Sequence, residues 1–134
     1  MKLWYEPVDK HHYEFLYELL AERPKEACIS HKQMPTMEQH QAFVDSFPYK
    51  EWYVIRMGEE MAGSVYLTHQ NEFGMFIKQG FEGKGIATKS FQWMIDRHPG
   101  ERMLSNVNPK NDRIIAVLKR LGFKLLQETY SYER

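Results

Sequence analysis

The stretch from Glu72 to Val107 constrains the fold more than any other part of the chain. A short apolar run, Glu72 to Ile77, enters a turn containing Gly80, Gly83 and Gly85, and the turn opens an amphipathic segment that stops before Pro99-Gly100. A second β-type run, Arg102 to Val107, follows. Strand, helix and strand in that order call for two parallel strands joined by a right-handed crossover. The turn also gathers backbone N–H groups and the positive end of a helix at one spot, an arrangement suited to phosphate.

The flanking segments read as an antiparallel meander with helices. A first strand is expected over residues 2–5, then a helix capped by Asp9 with His12, Phe15, Leu16, Leu19 and Leu20 inward, ending before Pro24. Thr36-Met-Glu-Gln39 reads as a capping box opening a second helix, with Met37, Val44 and Phe47 inward. Strands are expected over 52–57 and 61–68, with a tight turn at His69-Gln70 before the strand at 72–77. The helix over 85–97 should bury Ala87, Phe91, Met94 and Ile95. A helix over 111–121 and a final strand from Phe123 to about Tyr132 complete the chain. The expectation is a single α/β domain spanning 1–134, with a mixed, mostly antiparallel sheet, one parallel βαβ unit and helices on both faces.

At 43% hydrophobic and 14% aromatic residues the chain can bury a substantial core. Eighteen basic residues balance eighteen acidic ones, which argues against a nucleic acid as main partner. No apolar run approaches the ~20 residues of a membrane helix, so no membrane partner is expected. No signal peptide is read, since Lys2 is soon followed by Glu6 and Asp9, and the lone Cys28 suits a reducing cytoplasm.

Three phosphate-loop patterns compete for the glycine turn. Thr88 stands where Walker A requires a glycine and where the dinucleotide fingerprint requires Gly or Ala. The third pattern, Gln/Arg-x-x-Gly-x-Gly/Ala, is met at Gly85 and Ala87, with Glu82 as a departure. In this, Glu82-Gly-Lys-Gly-Ile-Ala87 resembles the acyl-CoA signature of the GNAT acetyltransferase superfamily. A second segment, Asn111 to Phe123, resembles the GNAT motif in which Asn opens a helix and Leu-Gly-Phe closes it. Asn111 is also a natural N-cap and Gly122 a natural residue beyond the helix end. The likeness spans roughly residues 52 to 125.

That resemblance implies an acetyl-CoA-dependent N-acetyltransferase acting directly on a primary amine of a small molecule. It implies that the two parallel strands splay, that main-chain groups near Met75, Phe76 and Ile77 pair with pantetheine, and that residues Glu82, Gly83, Lys84, Gly85, Ile86, Ala87 and Thr88 surround the pyrophosphate, with Asn111 as a further contact. Lys84 or Lys89 is expected to touch a phosphate, whereas Lys110 and Arg113 are expected to be solvated. The position where many members carry a catalytic Tyr holds Leu118, leaving Tyr130 or Tyr132 as substitutes for protonating the thiolate. Glu72 is the leading candidate for general base and His69 the alternative. No spacing suggests a metal site.

The acceptor wall is expected to include residues 28–34, His40 and the Phe47–Tyr49 turn, with Trp4, Trp52, Tyr53 and Tyr66 able to stack on a sugar. An amino sugar is slightly favoured, and a protein N-terminal amine is an alternative. The Leu118 departure keeps open a non-catalytic acyl-CoA-binding or regulatory module. A monomer and a homodimer are both compatible with the sequence.

Overall fold

The computed structural model describes residues 2–22 and 34–134, so the expectations at Pro24 and Cys28 lie outside the described residues. Strands β1 (Leu3–Pro7), β2 (Glu51–Met57), β3 (Glu60–Leu67) and β4 (Phe73–Ile77) form one antiparallel sheet in sequence order. β1 runs to Pro7, beyond its expected end; proline is tolerated there because β1 is an edge strand.

Period-two alternation sends side chains to opposite faces, and each face carries two helices. Trp52 and Val54 pack with Tyr66 and Phe76 against α1 (Tyr13–Glu22) and α2 (Met37–Asp45), through Phe15, Leu16, Leu19 and Val44. On the other face Ile55, Val65, Leu67 and Phe73 meet Phe91 and Met94 of α3 (Ile86–Arg97) and Val117 and Leu118 of α4 (Asp112–Arg120). Phe91 stacks on Phe73 with centroids 4.1 Å apart. Burying side chains of this size stabilises by about 1.5–3 kcal/mol each. Among the described residues, no helix is long and apolar enough to cross a membrane.

The helix ends follow the sequence signals. Thr36 and Gln39 form the capping box of α2, and Asp9 with His12 forms another ahead of α1, across a 3-10 turn at Lys10–His12. α4 ends in a Schellman motif: Phe123 N–H donates to Leu118 O and Gly122 N–H to Lys119 O, with Gly122 at φ +97°.

Three expectations are corrected. The run 102–107 forms no strand; it touches β4 through one parallel bridge, Glu72 to Leu104. The segment 123–132 joins no ladder, and Leu125, Leu126, Tyr130 and Tyr132 are exposed. Strand propensity needs a neighbouring edge to be realised, and neither run is given a continuous one. Phe47 does not face inward: it lies beyond α2 at φ +45° and is exposed, while His40 takes the buried helical position.

Gly63 of β3 sits so close to β4 that an added Cβ would come 2.2 Å from the Phe76 carbonyl oxygen. Gly63→Ala should therefore force the two strands apart and destabilise the domain by about 1–3 kcal/mol, read as a lower urea midpoint at unchanged m-value.

Candidate active site

The outer edge of β4 is open. Thr68 N–H donates to Glu72 O and Lys78 N–H to Ala62 O, each at 2.8 Å, which fixes the phase of the β3–β4 ladder. By alternation, Gly74 and Phe76 turn their main-chain groups toward β3, whereas Phe73, Met75 and Ile77 turn theirs outward. Phe73 is taken up at the bridge: its N–H donates to Leu104 O at 2.7 Å and its carbonyl accepts from Ser105 Oγ at 3.2 Å. The outward groups of Met75 and Ile77 have no partner among the described residues. Of the three residues expected to pair with a linear amide, two thus present their main chain and Phe76 does not.

The turn after β4 carries the second set of open groups. Gly83 and Gly85 adopt φ +74° and +79°, which L side chains rarely reach, and a Cβ on either would meet no protein atom within 4 Å. No described residue therefore crowds the turn at either position. Gly85 caps α3 without a side chain, and the first intrahelical bond runs from Lys89 N–H to Gly85 O at 3.1 Å. The N–H groups of Ile86, Ala87 and Thr88 precede that bond and have no partner among the described residues. Glu82 turns back, its Oε1 accepting from Gly80 N–H at 2.6 Å, which braces the loop.

Sequence reasoning missed the anchor of this loop. Glu22, at the end of α1, accepts from Gln79 N–H at 2.9 Å and from Lys78 Nζ at 3.0 Å. Burial pushes the Glu22 carboxyl up, but the Gln79 amide and the Lys78 ammonium outweigh it and hold the group below the usual range. A glutamate at a helix end carries no local signal of a partner so distant in sequence.

Glu72 stands at the bridge that closes the open edge. Its carboxylate accepts from Asn106 Nδ2 at 2.7 Å and from Thr68 Oγ1 at 3.3 Å. His69 is exposed in the turn before it. Tyr130 lies on the exposed C-terminal segment and donates to Glu128, so Glu72 and Tyr130 have separate partners. Asn111 caps α4 through Oδ1 and Ile114 N–H at 3.4 Å. Lys84, Lys89, Lys110 and Arg113 are exposed, and Leu118 is core.

On the α1/α2 face, the sheet and helices enclose a cavity of about 430 Å³. Leu16, Leu19, Phe43, Trp52, Tyr66 and Phe76 are among its wall residues, and Gln39, His40 and Ser64 are polar members. Phe76 places the cavity beside the open strand, and Glu72 and Gly74 share its side of β4. Of the expected acceptor wall, His40 and Tyr49 line this cavity, as do Trp52 and Tyr66; Trp4 and Tyr53 pack elsewhere, Trp4 donating to Gly58 O.

His40 is buried, and its Nε2 lies 2.9 Å from Tyr13 O. A carbonyl only accepts, so the neutral ring carries its proton on Nε2. Burial lowers the His40 pKa below 6.5, opposed in part by the Tyr13 carbonyl. Between that lowered value and 6.5 the unfolded chain binds more protons than the folded one, so this residue's share of stability is lost as pH falls through that window. His40→Gln, which can still donate to Tyr13 O, should flatten the slope of unfolding free energy between about pH 5 and 7 in urea melts.

Comparison with known proteins places this geometry. Residues 2–124 match the family model described as the acetyltransferase (GNAT) domain. No curated protein sequence matches the chain. Among solved structures, the ribosomal L7/L12 alpha-N-protein acetyltransferase RimL in complex with coenzyme A is 20% identical, with TM-score 0.80 over 95% of this chain and 82% of that one. A domain from Methanocaldococcus jannaschii is 20% identical, with TM-score 0.82 over 96% and 92%. The spermidine N-acetyltransferase of Vibrio cholerae, in complex with CoA and spermine, is 15% identical, with TM-score 0.78 over 90% and 79%. At these identities the structural likenesses establish the fold; the family match, covering nearly the whole chain, establishes that this protein belongs to the GNAT acetyltransferases.

Proposed function

We propose that this enzyme transfers an acetyl group from acetyl-CoA directly to a primary amine. The observation that carries this reading is the continuity of open main-chain groups, from Met75 and Ile77 on the edge of β4 to the amides of Ile86, Ala87 and Thr88 at the start of α3. An extended diamide matches the first set and a diphosphate the second. Helix-end charge contributes about 0.3–2 kcal/mol, against the ~8 kcal/mol of micromolar affinity, so strand-like pairing along β4 has to supply much of the remainder.

Acetyl-CoA, when bound, supplies a thioester whose acyl carbon is the electrophile. An amine in the cavity beside Phe76 forms the C–N bond as the C–S bond breaks; sulfur leaves with the electron pair, and the amine nitrogen gives up a proton. Glu72 is the proposed acceptor of that proton, through water, because it stands at the closed end of the groove on the cavity side of β4. Leu118 is buried and carries no ionisable group, so that position offers no proton donor. A thiolate is a fair leaving group, so the reaction does not require an acid there.

Acetyl-CoA at about 100 times its dissociation constant should stabilise the protein by about 2.7 kcal/mol, a rise of several degrees in melting temperature. Gly85→Ala should cost about 1–2 kcal/mol in strain and weaken CoA at least tenfold. Its Cβ would meet no atom of the described residues within 4 Å, so unchanged CoA affinity would move the diphosphate elsewhere. Glu72→Gln should lower kcat by about a hundredfold or more with little change in the affinity for acetyl-CoA, and CoA release by the wild type should be strictly amine-dependent. CoA binding without any such release would instead mark a non-catalytic acyl-CoA-binding module.

A further inference from the structure

We propose that the cavity between α1, α2 and the sheet, where the acetyltransferase reading seats the amine, selects a primary monoamine carried on an apolar or aromatic body. The inference rests on the acetyltransferase reading and narrows its substrate class. Three observations carry it.

The wall comes first. Among the described residues that line the cavity there is no aspartate or glutamate, and Phe43, Tyr49, Trp52 and Tyr66 present aromatic surface, with Tyr49 stacked on Tyr66 at 4.1 Å. A polyamine brings at least one further ammonium that must be buried with the first. Without a carboxylate to pair it, that charge is strongly disfavoured. An amino sugar, the class slightly favoured by the sequence, brings several hydroxyls and little apolar surface, so it would leave the aliphatic and aromatic part of the wall, Leu16, Leu19, Phe43 and Phe76 among it, without a matching face.

The second observation is Ser64. It is 2% exposed and lines the cavity, and its hydroxyl has no partner among the described residues. A buried hydroxyl left unmatched costs stability, so its retention points to an external partner. Ser64 sits directly opposite Phe76 in the β3–β4 register, one strand in from the open edge where the acyl group is delivered. A single amino group fits that position.

The third is the protonation state such a pocket imposes. Apart from Glu72, the proposed proton acceptor at the end of the groove, the described lining residues carry no carboxylate, and such a wall disfavours an ammonium and favours the neutral amine, the form that attacks a thioester. The polar wall groups Gln39 and Ser64 carry no charge, and His40 has its Nε2 proton committed to Tyr13 O. The cavity therefore binds and activates by the same means.

The test is calorimetric titration of the full chain saturated with CoA, using 2-phenylethylamine, spermidine, glucosamine and a short peptide with a free N-terminal serine. The expected result is that 2-phenylethylamine binds at least a hundredfold more tightly than each of the others. Equal or tighter binding by any of the three overturns the proposal, whether or not turnover is seen. Failure of acetyl-CoA to bind at all, read separately by thermal shift, would instead sink the acetyltransferase reading. Ser64→Ala should weaken 2-phenylethylamine at least tenfold at an unchanged or higher melting temperature; a purely structural serine would lose stability and leave amine affinity alone. Phe43→Asp, at a partly exposed wall position, should shift the spermidine-to-monoamine affinity ratio at least tenfold toward spermidine, and an unmoved ratio would place the amine outside this cavity.

Discussion

A single parallel contact, Glu72 to Leu104, governs the architecture around the site. It pins the segment after α3 to the start of β4 and then lets it depart, so β4 and the segment that topology brings beside it never zip together. Continuous pairing would have given the outward amides of Met75 and Ile77 intramolecular partners and closed the edge. An exposed strand edge is normally a liability that proteins blunt or cover. Its retention immediately before a glycine turn, itself followed by a helix with uncapped amides, is economical only where a ligand completes both.

The division of the core supports this arrangement. The face carrying α3 and α4 is densely apolar: Phe91, Met94, Ile55 and Val65 are essentially inaccessible, and Tyr5, itself stacked on Trp93, meets the buried Ser90 at 3.0 Å. The end of α3 is clamped further by Arg97 and His98 on Glu51, at 2.8 and 2.5 Å. That face fixes where the first turn of α3 stands. The face carrying α1 and α2 is looser, holds the cavity, and tolerates buried polar groups at His40 and Ser64. Glu22 ties the two halves together, since the end of α1 grips the backbone that leads into the glycine turn.

Features encoded locally were legible in the sequence. Thr36 and Gln39, Asp9 and His12, and Gly122 with Phe123 each satisfy backbone groups within a few residues, so composition at fixed offsets reveals them. The glycines at 83 and 85 were readable for the same reason, as positions where positive φ is needed. Pairing was not. Nothing local distinguishes the run 102–107, which makes one bridge, from the run 60–67, which pairs along its length, because the difference lies in which edge is within reach. Tyr130 and Tyr132 look like strand residues on the same grounds, yet the turn at Gly122 leaves them without a ladder. Glu22 and Ser64 escaped notice as site residues because the contacts that define them join positions far apart in the sequence, whereas His40 was legible as part of the acceptor wall.

Buried polar groups without an internal need weigh against a core, and a small domain has little stability to spare. Ser64 could be alanine at almost no change in volume, and the β3–β4 ladder depends on its backbone alone. Leu118 shows the opposite choice: at a position where relatives often carry a polar phenol, this chain has an aliphatic side chain sealed under α4. On the α3/α4 side the buried polar Ser90 has an internal partner in Tyr5, whereas on the α1/α2 side Ser64 has none among the described residues. Chemistry that relies on a neutral amine and a competent leaving group needs little more than this: a pocket with much apolar wall, a hydrogen-bonding group to aim the nitrogen, and a strand edge to hold the acyl donor.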